Sequence, residues 1–266
     1  MIRDITLGQY YPGSSWIHKL DPRIKILATL LYIVALFVIR DFAGFIVAIV
    51  ALEAVIIISK VPRRFIWRGL KPVLLIIAFT LLINMFMIKG DVLWQLGFLH
   101  ITREGLRTAA FMGIRLVLLI IGSSMLTLTT RPIGLTDGIE ALLSPFKKIG
   151  LPAHELAMMM TIALRFIPTL LEETDKIIKA QQARGADFES GNILRRAKAL
   201  VPILVPLFIS AFRIAQDLAM AMEARCYGGS VKRTRMNEMK MSSRDLVASL
   251  LFAVFLALVI LQRVFM

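Results

Sequence analysis

Two arginines stand at matching places in this chain, and their guanidinium groups are its plainest functional chemistry. One closes Lys179-Ala180-Gln181-Gln182-Ala183-Arg184-Gly185, the other Met220-Ala221-Met222-Glu223-Ala224-Arg225-Cys226. Arginine offers a planar fork of donors that suits carboxylates and backbone carbonyls. A cation at a helix C-terminus is also favoured by about 0.3–1 kcal/mol, so each arginine equally completes its own helix. Such groups recognise a surface and break no bond. The pattern points to a protein that transmits force or conformation.

Chemistry of other kinds finds few residues. No G-x-x-x-x-G-K-[ST], H-E-x-x-H or G-x-S-x-G occurs, so no catalytic residue, metal site or cofactor is expected. His18, His100 and His154 are dispersed, and a single cysteine, Cys226, excludes an intrachain disulfide. Glu53 and Arg115 fall inside apolar runs. Intramembrane charges of this sort line a substrate or proton path or serve structure. Their depths, about 10 and 22 Å from the inner ends of their runs at 1.5 Å per residue, argue against a mutual pair.

The elements that position these groups are membrane helices. The 266 residues are 58% hydrophobic and carry a net charge of +14. Apolar spans interrupt the basic residues, so the charge reports topology and the anionic inner leaflet; no nucleic acid is expected. Apolar runs at 24–39, 42–59, 72–88, 106–128 and 246–262 predict five spans. With the N-terminus inside, segments 1–25, 60–71 and 131–245 hold 4, 5 and 17 Lys and Arg, against five outside. That asymmetry predicts a multi-pass protein of the cell (inner or plasma) membrane, N-terminus cytosolic and C-terminus outside. The basic loop Lys60–Lys71, with Trp67, is an interfacial anchor.

Three parts follow: a membrane domain of four spans over 1–130, a cytosolic-side coupling domain over 131–245, and a C-terminal span over 246–266. The middle part predicts a short amphipathic helix at Leu135–Lys148. A long one follows from Pro152 through Gln182, kinked at Pro168, and another from Asn192 to Arg225, bent at Pro202 and Pro206. Aligning Arg184 with Arg225 also superposes Ala180 on Ala221, Ile177 on Leu218 and Leu171 on Phe212, a weak internal repeat. Both long helices read as too charged to span and too apolar to be solvated all round, so they lie under the membrane.

Three ordered stretches carry a family resemblance: His18-Lys-Leu-Asp21-Pro22-Arg23-Ile-Lys25; Ala163-Leu-Arg165-Phe166-Ile167-Pro168 running to Ala183-Arg184-Gly185; and Glu223-Ala224-Arg225. Together they resemble the transmembrane T component of energy-coupling factor importers, the CbiQ-like family, over nearly the whole chain. The resemblance implies an all-α integral membrane protein with about five spans and three coupling-domain helices. It implies two ABC-type ATPase partners and a small substrate-binding membrane subunit, the S component, serving vitamin or other micronutrient uptake. Ala183, Arg184 and Gly185, and Ala224, Arg225 and Cys226, would then dock on the ATPases, where the hydrolysis occurs. Cys226 stands where the family has glycine, and a left-handed turn is harder for cysteine. Asp21, Pro22, Arg23 and Lys25 form a family motif without an assigned role.

Met158, Met159 and Met160 add a reading from residue chemistry. Unbranched, polarizable methionine repacks cheaply against different surfaces, which suits contact with exchangeable S components, or gap filling between helices. Two further classes stay open. A stand-alone carrier would use Glu53 and Arg115. A scaffold or insertase-like protein would use the basic cytosolic face. The paired Ala-Arg tips favour coupling.

Overall fold

A computed structural model describes residues 10–88, 91–96, 99–150, 152–186, 188, 192–228, 239 and 241–265. The helices are α1 Pro22–Val38, α2 Phe42–Ser59, α3 Arg63–Leu70, α4 Leu74–Met87, α5 Arg103–Thr129, α6 Pro132–Leu143, α7 Ala153–Ala183, α8 Ile193–Ala224 and α9 Ser243–Phe265. Short 3-10 turns join α3 to α4 and follow α6. The all-α expectation holds, with one addition: β1 Val92–Leu96 and β2 Leu99–Thr102 pair antiparallel in a small hairpin before α5.

Local chemistry explains several boundaries. The Asp21 carboxylate accepts from the Arg23 amide at 2.9 Å and Pro22 takes the first position of α1, where no amide is needed. Thr102 caps α5 by accepting from the Gly105 amide at 3.0 Å. The Lys60–Lys71 segment, expected as a loop, is mostly helix. Ile66 and Leu70 are buried four residues apart, while Arg63, Arg64 and Arg68 are exposed. That i, i+4 pair was the available signal.

By length and composition six helical segments suffice to cross a membrane. They include α7 and the Lys198–Ala224 part of α8, which corrects the expectation that both are too charged to span. The charge gathers in the second half of α7 and towards the two ends of α8, and leaves in each an 18-residue window with at most two ionised residues. At 17 residues, α1 falls just short of the length of those six.

The described residues divide into two compact units, one within Gly8–Ala157 and Met239–Met266, the other within Met158–Glu238. In the first, α1 packs on α5, α6 and α9, and α2 packs on α5 and α9. Leu36, Phe45, Ala48 and Leu128 are almost wholly enclosed there. Phe45 and Phe111 sit 4.7 Å apart. Lipid tails are as apolar as leucine, so close packing and interhelical hydrogen bonds hold such a bundle. Gly138 shows the closeness: a Cβ there would lie 2.9 Å from Ile26 and 3.1 Å from Pro22, which brings α6 onto α1. In the second unit, α8 exposes most of its large apolar side chains, Phe208, Ile209 and Phe212 among them, whereas those of α7 are mostly half-buried.

Candidate functional site

The two arginine tips have the same backbone geometry. At the end of α7, the Gly185 amide donates to the Gln182 carbonyl at 2.9 Å and the Ala186 amide to Gln181 at 3.0 Å. At the end of α8, the Cys226 amide donates to Glu223 at 2.8 Å and the Tyr227 amide to Met222 at 2.9 Å. These are two Schellman caps, with every participant offset by the same interval that separates Arg184 from Arg225. Gly185 has φ 87° and Cys226 φ 56°, so cysteine adopts the left-handed turn that its side chain disfavours. Each cap ends the helix at its arginine and sends the chain away. Ala183, Arg184, Gly185, Ala224, Arg225 and Cys226 are all exposed. Neither arginine has an ion-pair partner among the described residues. Replacing Cys226 with glycine is expected to relieve the turn and stabilise the protein by roughly 1 kcal/mol. Thermal unfolding in detergent reads this; a lower midpoint would mean that the thiol itself makes a needed contact.

The tips point apart. Gln181 Nε2, near the end of α7, donates to the Pro202 carbonyl at 3.3 Å. That carbonyl lacks its usual helical partner because Pro206, four residues on, has no N–H. At the other extremity, the Tyr227 hydroxyl donates to Met158 Sδ at 2.7 Å. Thus α7 and α8 run antiparallel, linked near both ends. Arg225 lies by the start of α7 and Arg184 at its finish. The helical stretch from Met158 to Gln181 sets the tips roughly 35 Å apart at 1.5 Å per residue. Of the three consecutive methionines, Met159 is exposed, whereas Met158 is half-buried and engaged by Tyr227.

The Asp21, Pro22, Arg23 and Lys25 motif belongs to a buried polar node at one end of the first unit. The Asp21 amide donates to Asp245 Oδ1 at 2.7 Å, and the Ser242 amide to Asp245 Oδ2 at 2.8 Å. Lys25 Nζ donates to the His18 carbonyl at 3.2 Å and the Thr129 carbonyl at 3.0 Å. Arg23 Nε stands 4.0 Å from Asp21 Oδ1. His18 Nε2 donates to the Tyr11 carbonyl at 3.1 Å, which leaves Nδ1 to accept from Ser15 Oγ at 2.6 Å. Burial holds the His18 ring below its ordinary pKa, and the Lys25 charge adds to this against the pull of the Tyr11 carbonyl. The node ties the N-terminal segment, α1, the end of α5 and the start of α9. Asp245 is the member that sequence reasoning missed; its only local sign is an acidic residue in the first turn of a helix.

Glu53 and Arg115 take separate partners. Glu53 Oε2 meets Arg63 Nη2 at 3.1 Å on the surface. Arg115 Nη2 donates to the Ile39 carbonyl at 2.8 Å, and its guanidinium lies over Phe111 and Phe37 at 4.8 and 5.5 Å. Arg115 therefore satisfies a carbonyl freed at the end of α1. A carrier path built on these two as partners has no support in this geometry.

An all-α bundle of apolar helices with exposed basic tips defines a multi-pass helical membrane protein. Residues 13–237 match the CbiQ family, described as cobalt transport protein. An energy-coupling factor transporter transmembrane protein EcfT from Clostridium kluyveri is 60% identical over 266 residues, covering 99% of this chain and 98% of that one. EcfT from Thermosediminibacter oceani is 61% identical over 247 residues, 93% of each chain. EcfT from Bacillus subtilis is 44% identical over 264 residues, 99% and 100%. The chain belongs to this CbiQ/EcfT family of energy-coupling factor transporter transmembrane components.

Proposed function

We propose that the chain is the coupling subunit of an importer, passing ATP-driven motion from two ATPase subunits to a small substrate-binding membrane subunit. Vitamins or other micronutrients are the cargo class. The observation that carries this reading is the pair of identically capped, exposed arginine tips roughly 35 Å apart at opposite ends of α7 and α8. One tip docks on each ATPase, with Ala183 and Gly185, or Ala224 and Cys226, letting the partner approach the backbone. Hydrolysis takes place in the ATPases, and this chain performs no chemistry itself.

The same geometry argues for how α7 and α8 lie. If an antiparallel pair crossed the bilayer, Arg184 and Arg225 would face opposite sides, and only one could meet a cytosolic ATPase. Both helices therefore run along the inner surface, their apolar faces turned to lipid or to the S component, with Met158–Met160 and most of all the exposed Met159 contributing to that contact. The N-terminus is cytosolic and the C-terminus outside, as the 26-to-5 distribution of basic residues favours. Positions 1–130 together with α9 form the membrane part, and positions 131–245 form the coupling part.

Purifying the protein from its native membrane in mild detergent tests the reading. Two ABC-type ATPases and a small membrane protein are expected to accompany it. Recovery of the chain alone, under conditions that keep a control membrane complex intact, would sink the coupling role and return the stand-alone carrier to first place.

A further inference from the structure

Helices α1, α2, α5 and α9 do not fill the space between them evenly. Around the end of α1 and the start of α2, large side chains such as Leu36 and Phe45 close the core. Around the start of α1 and the end of α2, the same four helices surround a cavity of about 360 Å³. The cause is side-chain size: Ala28, Ala51, Ala54 and Ala248 all line this space. The remaining wall is mostly aliphatic and aromatic, from Leu52, Met125, Phe252 and their neighbours.

An empty apolar cavity forfeits dispersion contacts along every wall, and water gains too few polar partners there to replace them. The filler must be apolar. It must also enter from the side, because Val55 and Ile58 of α2 and Leu251 of α9 line the cavity and are 37, 44 and 57% exposed, so the cavity is open where they stand. In a membrane protein that opening meets lipid.

One end of the cavity is polar. Trp16 and Lys25 line it there, beside the first turn of α1. Tryptophan sits at bilayer interfaces. Lys25 directs two N–H donors to the His18 and Thr129 carbonyls and keeps a third, and its charge, which Asp245 and Asp21 favour, sits in the wall of the cavity. From Lys25 to Tyr32, which lines the deep end, the cavity follows α1 for about 10 Å. A donor at the interface with an apolar slot behind it matches the ester or phosphate oxygen and the acyl chain of a glycerolipid.

We propose that this cavity is a lipid site: one acyl chain of a membrane glycerolipid enters between α2 and α9 and places a head-group oxygen on Lys25. The acyl chain then acts as part of the core of the bundle.

Native mass spectrometry of the detergent-purified protein with its co-purifying partners tests this, together with thermal unfolding after adding back phosphatidylglycerol. The wild type is expected to keep one phospholipid per chain through a delipidating wash. Harsher stripping should lower its unfolding temperature, and the added phosphatidylglycerol should restore it. Ala248→Phe and Ala51→Phe, which fill the space from different helices, should retain no lipid and not respond to the add-back. Two filling positions guard against one failing to fold, and the wild-type result stands without either. A wild type that holds no lipid and does not respond to phosphatidylglycerol would overturn the proposal. So would equal retention in either cooperatively folding variant, which would place the bound lipid elsewhere on the surface.

Discussion

Replacing Arg184 and Arg225 together with glutamate is expected to abolish ATP-driven uptake and strip both ATPases from the purified protein. Insertion in the membrane should be unchanged. Both arginines are exposed and lack an ion-pair partner among the described residues, so their charge enters the fold through the helix-end effect of about 0.3–1 kcal/mol each. The Schellman bonds beneath them are backbone bonds and survive the change. A lost charge pair at an interface costs about 2–5 kcal/mol, and reversal adds repulsion. At about 1.4 kcal/mol per decade this weakens each docking event by roughly thirtyfold or more. The separation of the tips makes the single variants informative. Sites this far apart are nearly independent, so Arg184→Glu should release one ATPase and Arg225→Glu the other. Co-purification and uptake into proteoliposomes read the two effects. A double variant that still binds both ATPases and transports at the wild-type rate would show that the arginines only finish their own helices.

The second large effect is on stability. Asp245→Ala should destabilise the membrane bundle by about 1–3 kcal/mol, because it leaves the buried Asp21 amide without an acceptor and frees the part-buried Ser242 amide as well. Asp245 is only 3% exposed, so water cannot readily replace the carboxylate. Lys25 would lose a nearby opposite charge as well, which raises the cost of keeping that amine buried. Asp245→Asn retains one oxygen acceptor and should recover part of the loss. Thermal unfolding of the detergent-solubilised variants measures this. An unchanged midpoint in Asp245→Ala would mean that the two amides find other partners and that the node contributes little. The arginine tips lie in the other compact unit, so ATPase docking should outlast this substitution in membranes where the protein still folds.

Both predictions combine a local feature with a distant one, and the two differ in how far the chain alone reveals them. The helix ends were readable. Asp21-Pro22 starts α1, Gly185 ends α7, and the repeated motif ends α8, because capping bonds form within a short stretch of chain. Four spans, in α2, α4, α5 and α9, were readable too, since hydrocarbon demands a continuous apolar run; the apolar windows within α7 and α8 were not, because charges flank them. The left-handed turn at Cys226 departs from what its residue type favours, and the backbone around it still forms the same cap as the glycine version.

Other features needed the tertiary structure. Asp245 reaches Asp21, and Arg115 finds the Ile39 carbonyl, each across a long separation in the chain. The opposed direction of the two tips follows from Gln181 and Tyr227 meeting Pro202 and Met158. No local pattern encodes these pairings. In a soluble helix the apolar stripe marks the buried face, but α2 is apolar on every side apart from Glu53, so its sequence does not say which side meets protein and which meets lipid. The sequence by itself therefore determined the family, four of the spans, the capped helix ends and the two equivalent arginines. Only the tertiary structure decided that those arginines face opposite ways, that the Asp21–Lys25 motif is a buried tie between helices, and that the bundle keeps a cavity among its small residues. Caps and spans are settled by bonds and solvent within a few turns; these last are settled by which helices pack together, and a uniformly apolar surface leaves that choice to side-chain shape and a few buried polar contacts.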